Sequence, residues 1–150
     1  MDLTNLLTEE TILLTLDVKT KAECIDKLAE SMVKAGFVTD KLNYIEMVLH
    51  REKTGSTGIG FGVAIPHGKS RGVAIPGLAF ARLAQPVDWQ SLDGNPVSVV
   101  FLIAVPEENV GNEHLQILIA ISRKLMHEDF RNQLLTAQSP KAVLDILQNL

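Results

Sequence analysis

Apolar positions along this chain follow two rhythms, which divide it into helical ends and a strand-rich middle. Within residues 11–18 the run Ile12-Leu13-Leu14 predicts a brief strand. Ala22, Ile25, Leu28, Ala29, Met32 and Val33 then recur at helical spacing, with Thr20 placed as N-cap, Glu23 completing a capping box and Gly36 as the stop. A second helix is predicted from Thr39 or Asp40, turning Leu42, Ile45, Met47, Val48 and Leu49 inward. It ends on His50, Arg51, Glu52 and Lys53, before Gly55. Four glycines within residues 55–62 predict a loop, and Val63-Ala64-Ile65 reads as a short strand stopped by Pro66. Residues 77–83 and 97–105 read as longer strands, the second apolar enough to be buried on both faces, with an Asp93-Gly94 turn between them.

Helical spacing returns from Asn112 to Met126, where Leu115, Leu118, Ile119, Ser122 and Leu125 form one predicted face. Residues 127–137 predict another helix, burying Phe130, Leu134 and Leu135. Ser139 as N-cap and Pro140 at the first helical position open a last helix that runs to Leu150. Helices at both ends of a strand-rich middle predict an α/β sandwich, with a sheet covered by helices. No repeat and no linker divides the 150 residues, so a single domain over 1–150 is expected. Strand order cannot be read from this pattern.

Composition narrows the function classes. A formal charge of −4 argues against a nucleic-acid partner, which would demand clustered Lys and Arg. No run of about 18 apolar residues is present, so no membrane insertion is expected. The first residues lack the basic and apolar regions of a secretory signal. Cys24 is the only cysteine, which excludes an intrachain disulfide and fits a cytoplasmic setting.

Candidate chemistry gathers around the glycine-rich loop. Gly62 to Ser70 imitates a nucleotide-binding P-loop, but five residues separate Gly62 from Gly68 where four are needed, and Pro66 interrupts them. Gly58 and Gly60 begin a G-x-G-x-x-G pattern that fails at Val63. The loop reads either as a sharp bend or as a nest of backbone N–H groups around an anion, with Ser56 and Thr57 adding hydroxyl donors. His67 follows the Val-Ala-Ile strand and a proline, where a strand ends and a turn begins, a common position for a functional side chain. A lone histidine is more often a surface or hydrogen-bonded core residue. His50 and His127 lie near helix ends and read as solvated or capping residues, and Cys24 as helix packing. His114 falls in the first turn of a helix, where free N–H groups attract anions. Zinc-type spacings and a G-x-S-x-G elbow are both missing from the sequence, which leaves covalent chemistry at histidine itself.

Residues 51–69, REKTGSTGIGFGVAIPHGK, resemble the signature of the IIA component of bacterial sugar phosphotransferase systems, fructose–mannitol type. The likeness continues through the apolar strand before Pro106, Asn112-Glu113-His114-Leu115 and Ser139-Pro140, covering essentially the whole chain. It implies a mixed sheet flanked by helices. It also implies that His67 accepts a phosphoryl group from phospho-HPr and passes it to a IIB component, with Arg51 and His114 lining the phosphate site. Thr57, Ser56 and Gly58 are added from loop chemistry as phosphate-binding candidates. Such a carrier requires no cofactor, metal or nucleotide. An apolar rim including Phe61 and Ile59 would dock the protein partners, although Phe61 reads equally as a core residue. The nitrogen-related branch shares the loop and the histidine. With no IIB or IIC segment attached, transport and regulation by phosphorylation state both remain open, with fructose-type transport preferred.

Overall fold

The computed structural model describes residues 3–108 and 111–148, with the side chains of Glu113 and His114 outside that description. A 3-10 turn, Glu9–Thr11, leads into β1 (Ile12–Leu16), followed by α1 (Lys21–Lys34) and α2 (Lys41–Thr54). The middle of the chain forms β2 (Gly58–Gly60), β3 (Val63–Ala64), β4 (His67–Ser70), β5 (Gly77–Val87) and β6 (Val97–Pro106). The chain closes with α3 (Glu113–Leu125), α4 (Glu128–Thr136) and α5 (Pro140–Gln148). Together they form the α/β sandwich expected: one mixed sheet with helices on both faces.

The apolar segment 97–105 is central, as its sequence requires. β6 pairs antiparallel with β5 on one side, and β1 lies parallel beyond β5. On its other side β6 pairs parallel with β3 at Val99–Val100 and with β4 from Ile103 to Pro106. β3 and β4 therefore follow each other along one edge of β6, separated by Ile65 and Pro66. Because strand side chains alternate, β6 feeds two cores. Val100, Leu102 and Ala104 meet the layer of α1 and α2, together with Ala79 and Ala81 of β5. Val99, Phe101, Ile103 and Val105 meet the layer of α3, α4 and α5, where Phe80 and Phe101 pack edge to face at 5.1 Å.

Helix starts obey their local chemistry. The Thr20 hydroxyl accepts from Glu23 N at 3.1 Å, the Asp40 carboxylate from Asn43 N at 3.2 Å, and the Ser139 hydroxyl from Ala142 N at 3.1 Å. The Glu23 carboxylate takes the N–H of Lys19, one residue earlier than a capping box would place it.

Several faces differ from the periodic reading. In α2 Leu42 is 80% exposed and Met47 is also exposed, while Tyr44, Val48 and Glu52 point inward. Tyr44 sets that rotation: its hydroxyl is buried and donates to the Ile103 carbonyl at 2.8 Å. Burial holds that phenol well above its ordinary pKa. α3 buries Ile117, Ile121 and Leu125 and exposes Leu115 and Ile119, and Leu135 of α4 is exposed. Ala22 of α1 is exposed as well. These helices carry more apolar residues than one face can hide, so packing and not spacing selects the buried stripe. Residues 58–60, read as loop, form β2 and pair antiparallel with β3. Phe61 and Gly62 between them both have positive φ, 59° and 76°, as the primed hairpin turns require. His67 opens a strand instead of a turn, because β6 continues past Pro66 and pairs again.

Two predictions follow from this packing. A Cβ on Gly68 would stand 2.8 Å from a Val48 methyl and 3.2 Å from the Val48 backbone nitrogen. Gly68→Ala should therefore cost about 1–3 kcal/mol and lower the thermal midpoint by several degrees, and an unchanged midpoint would contradict the close approach of helix and strand. Cys24 is fully buried, and burial, with a smaller contribution from the Glu23 charge, pushes its thiol up to about 12. A disulfide-exchange reagent should leave the native thiol untouched and label it only on unfolding; rapid native labelling would show that α1 opens.

Candidate functional site

Helix α2 and strand β4 run antiparallel along each other. Asp40 N donates to the Gly72 carbonyl at 3.1 Å, the Ser70 hydroxyl donates to Asn43 Oδ1 at 2.6 Å, and Val48 covers Gly68. Continued one turn beyond Val48, the helix axis carries Arg51 and Glu52 toward the His67 end of the strand. The missing side chain at Gly68 allows this approach.

Pro66 creates the local geometry at His67. Lacking an N–H, it interrupts the ladder between β3 and β4, and it restricts Ile65 to extended backbone. The break is pinned on both sides: Ile65 N donates to the Thr57 carbonyl at 3.0 Å, and Ile103 N donates to the Pro66 carbonyl at 3.0 Å. Across the break, Nδ1 of the half-buried His67 lies 3.0 Å from the Ile65 carbonyl oxygen. A carbonyl only accepts, so Nδ1 carries a hydrogen, and in the neutral ring Nε2 is then the nitrogen with the in-plane lone pair. No residue pattern announces this partner, because a backbone carbonyl has no residue signature.

Arg51 folds around the end of its own helix. Its Nη1 donates to the Gly55 carbonyl at 2.8 Å and to the Thr54 hydroxyl at 3.2 Å, a favourable place for a cation. Both bonds run from one nitrogen of a guanidinium that has five N–H groups on a rigid fork.

Ser56, Thr57 and Gly58 are engaged internally in this structure. The Thr57 hydroxyl donates to a Glu52 carboxylate oxygen and accepts from Trp89 Nε1 at 3.2 Å, while its N–H lies 3.4 Å from the other Glu52 oxygen. The Ser56 hydroxyl donates to the Trp89 carbonyl at 2.5 Å and accepts from Gly58 N at 3.0 Å. An anion contact from any of the three would require these bonds to be exchanged. Glu52, read from sequence only as part of a polar helix end, is buried and pairs with Lys21 of α1 at 3.4 Å. Its spacing behind Tyr44 and Val48, at i+8 and i+4, was the available signal.

The backbone of His114 lies in the first turn of α3, as expected, but its side chain falls outside the described residues. Phe61 is 58% exposed, with the Arg131 guanidinium 4.4 Å from its ring centroid, which decides against a core role. Ile59 is half-buried against the α3–α5 core.

This geometry belongs to a recurring type. Residues 5–150 match the family model described as phosphoenolpyruvate-dependent sugar phosphotransferase system, EIIA 2. The chain is 45% identical over 147 residues to the fructose-specific EIIABC component of Bacillus subtilis, covering 98% of this chain but 23% of that protein. It is 44% identical over 128 residues to the fructose-specific EIIA component of Haloferax volcanii, covering 85% of this chain and 82% of that protein. Among solved structures, the nitrogen regulatory protein IIA-Ntr of Neisseria meningitidis superposes with a TM-score of 0.89 at 34% identity, covering 97% of this chain and 98% of that one. The mannitol enzyme IIA in complex with phosphorylated IIB from Escherichia coli superposes at 0.79 with 27% identity, covering 94% and 96%. With the family model matched over nearly its whole length, the chain belongs to the type 2 EIIA family of the phosphoenolpyruvate-dependent sugar phosphotransferase system.

Proposed function

We propose that the phosphohistidine through which this phosphotransferase works forms on Nε2 of His67, taken from phospho-HPr and passed to a IIB component during uptake of a fructose-type sugar. The observation that carries this reading is the bond between Nδ1 and the Ile65 carbonyl. It keeps a hydrogen on one ring nitrogen and directs nucleophilic character to the other.

In the proposed step the Nε2 lone pair forms the new P–N bond in line, and the donor's P–N bond breaks with its electron pair returning to the donor imidazole. The hydrogen stays on Nδ1, held toward the Ile65 carbonyl, and the donor ring keeps the hydrogen on its own second nitrogen. The donor therefore leaves as neutral imidazole, the positive ring charge passes to His67, and no proton moves. Such a transfer depends on positioning and on stabilising the charge of the equatorial oxygens. Arg51 is the proposed fork for those oxygens and His114 the proposed second donor. The turn holding Ser56, Thr57 and Gly58 would serve as the wall of the site, and as direct donors only if its internal bonds exchange. A single domain over 1–150 and a cytoplasmic location complete the proposal, the latter supported by the family and the single buried thiol.

Fructose is preferred because the two relatives cited above carry that specificity in their names. The Neisseria likeness supports a second reading, in which the phosphorylation state of the same histidine controls a binding partner. Transfer from the labelled protein to a purified fructose-type IIB would favour transport, and retention of the label would favour regulation.

Incubation with labelled phosphoenolpyruvate, enzyme I and HPr should give an acid-labile, alkali-stable label that His67→Ala abolishes while the fold persists. Wild-type labelling of that variant would end the proposal. Arg51→Ala and His114→Ala should each slow single-turnover transfer by about 10²–10³-fold, as expected for losing one donor to transition-state charge. Rates within about twofold of the parent would remove the residue concerned from the site.

A further inference from the structure

A hydrogen-bonded path leads from a buried carboxylate to the imidazole. Glu52 is only 9% exposed, and a buried carboxylate is costly unless it is fully partnered. Its partners are Lys21 and both polar hydrogens of Thr57. The remaining polar backbone atom of Thr57, its carbonyl oxygen, accepts from Ile65 N at 3.0 Å. Ile65 has only one other polar atom, its carbonyl oxygen, and this accepts from His67 Nδ1 at 3.0 Å. Trp89, fully buried, locks the middle of the path by donating to the Thr57 hydroxyl.

We infer that Glu52 is a positioning residue for His67: by clamping Thr57 it fixes the Ile65 carbonyl and thereby the imidazole tautomer. The physical need is specific. The neutral histidine side chain in water favours the hydrogen on Nε2, so the protein must hold the opposite tautomer to present Nε2 as nucleophile. The bond to the Ile65 carbonyl favours it, and that carbonyl sits at a break in the ladder where Pro66 supplies no N–H. Without the Thr57 anchor Ile65 can shift within its extended range, the carbonyl loses its aim on Nδ1 and the selection weakens. The path acts through geometry and not through conjugation, because the donor and acceptor of Thr57 belong to different peptide groups, as do those of Ile65.

The kinetic consequence rests on His67 being the acceptor as proposed above, but the tautomer does not, so the two are measured separately. The test is imidazole ¹⁵N NMR on the unphosphorylated protein at a pH where the ring is neutral, with His67→Gln used to assign its signals. In the parent, Nδ1 should show the N–H signature and Nε2 the lone-pair signature. Glu52→Ala should move His67 toward the Nε2–H tautomer. In single-turnover transfer it should lower the maximal rate roughly tenfold, with little change in the half-saturating concentration of phospho-HPr. Glu52→Gln, which still accepts from Thr57 N, should recover most of the parent tautomer. If Glu52→Ala does not fold, the near-isosteric Thr57→Val breaks the same clamp and should shift the tautomer likewise. Unchanged His67 nitrogen signals in a folded Glu52→Ala or Thr57→Val variant would overturn the inference. A shifted tautomer in a protein that is never labelled on His67 would uphold the positioning role and sink only the proposed function.

Discussion

The site depends on a ladder that must stop for one residue and start again. β3 and β4 both need β6 beside them, yet the chain between them must release one carbonyl toward the imidazole. Pro66 satisfies both demands, since it removes one donor while its own carbonyl still binds Ile103 N. Ile103 is consequently a hub. Its N–H holds the break, its carbonyl receives the Tyr44 hydroxyl, and its register partner is His67. The helix bearing Arg51 and the strand bearing His67 are thus referenced to the same residue of the central strand.

Close packing turns this local device into a defined geometry. The layer of α1 and α2 rests on alanines at 79, 81 and 104, and α2 comes closest at Gly68. Small residues let helix backbones approach, and interiors packed to crystal density resist displacement. The polar cluster of Glu52, Thr57, Trp89 and Lys21 fastens the glycine-rich turn to the same layer. Its glycines therefore serve a built wall and not a mobile lid.

Much of the fold was legible because it is governed by local chemistry. Thr20, Asp40 and Ser139 announce helix starts through side-chain acceptors, and a nine-residue segment with eight apolar positions, half of them valine, reads as a buried strand. The rotations of α2 and α3 were not legible, because Leu42, Met47, Leu115 and Ile119 are as apolar as the residues that pack. His67 and Arg51 stood out through motif. The Ile65 carbonyl did not, since main-chain atoms leave no mark in composition. Glu52 was hidden in a charged stretch, and its burial depends on Lys21 and Trp89, which lie 31 and 37 positions away in the chain.

The two faces of the sheet differ in grain, with alanines beneath α1 and α2 and phenylalanines beneath α3 to α5. An alanine floor has almost no shape to rearrange: any enlargement lifts a helix, and with it Arg51. A phenylalanine floor can be recut, because large rings and aliphatic neighbours exchange volume among themselves. Sequence drift should therefore be tolerated unequally across the molecule. The buried rings and aliphatics beneath α3 to α5 can trade volume while the spacing of α2 against β4 stays in gauge. One scaffold can thus acquire new surfaces there as long as the first turn of α3 keeps its place.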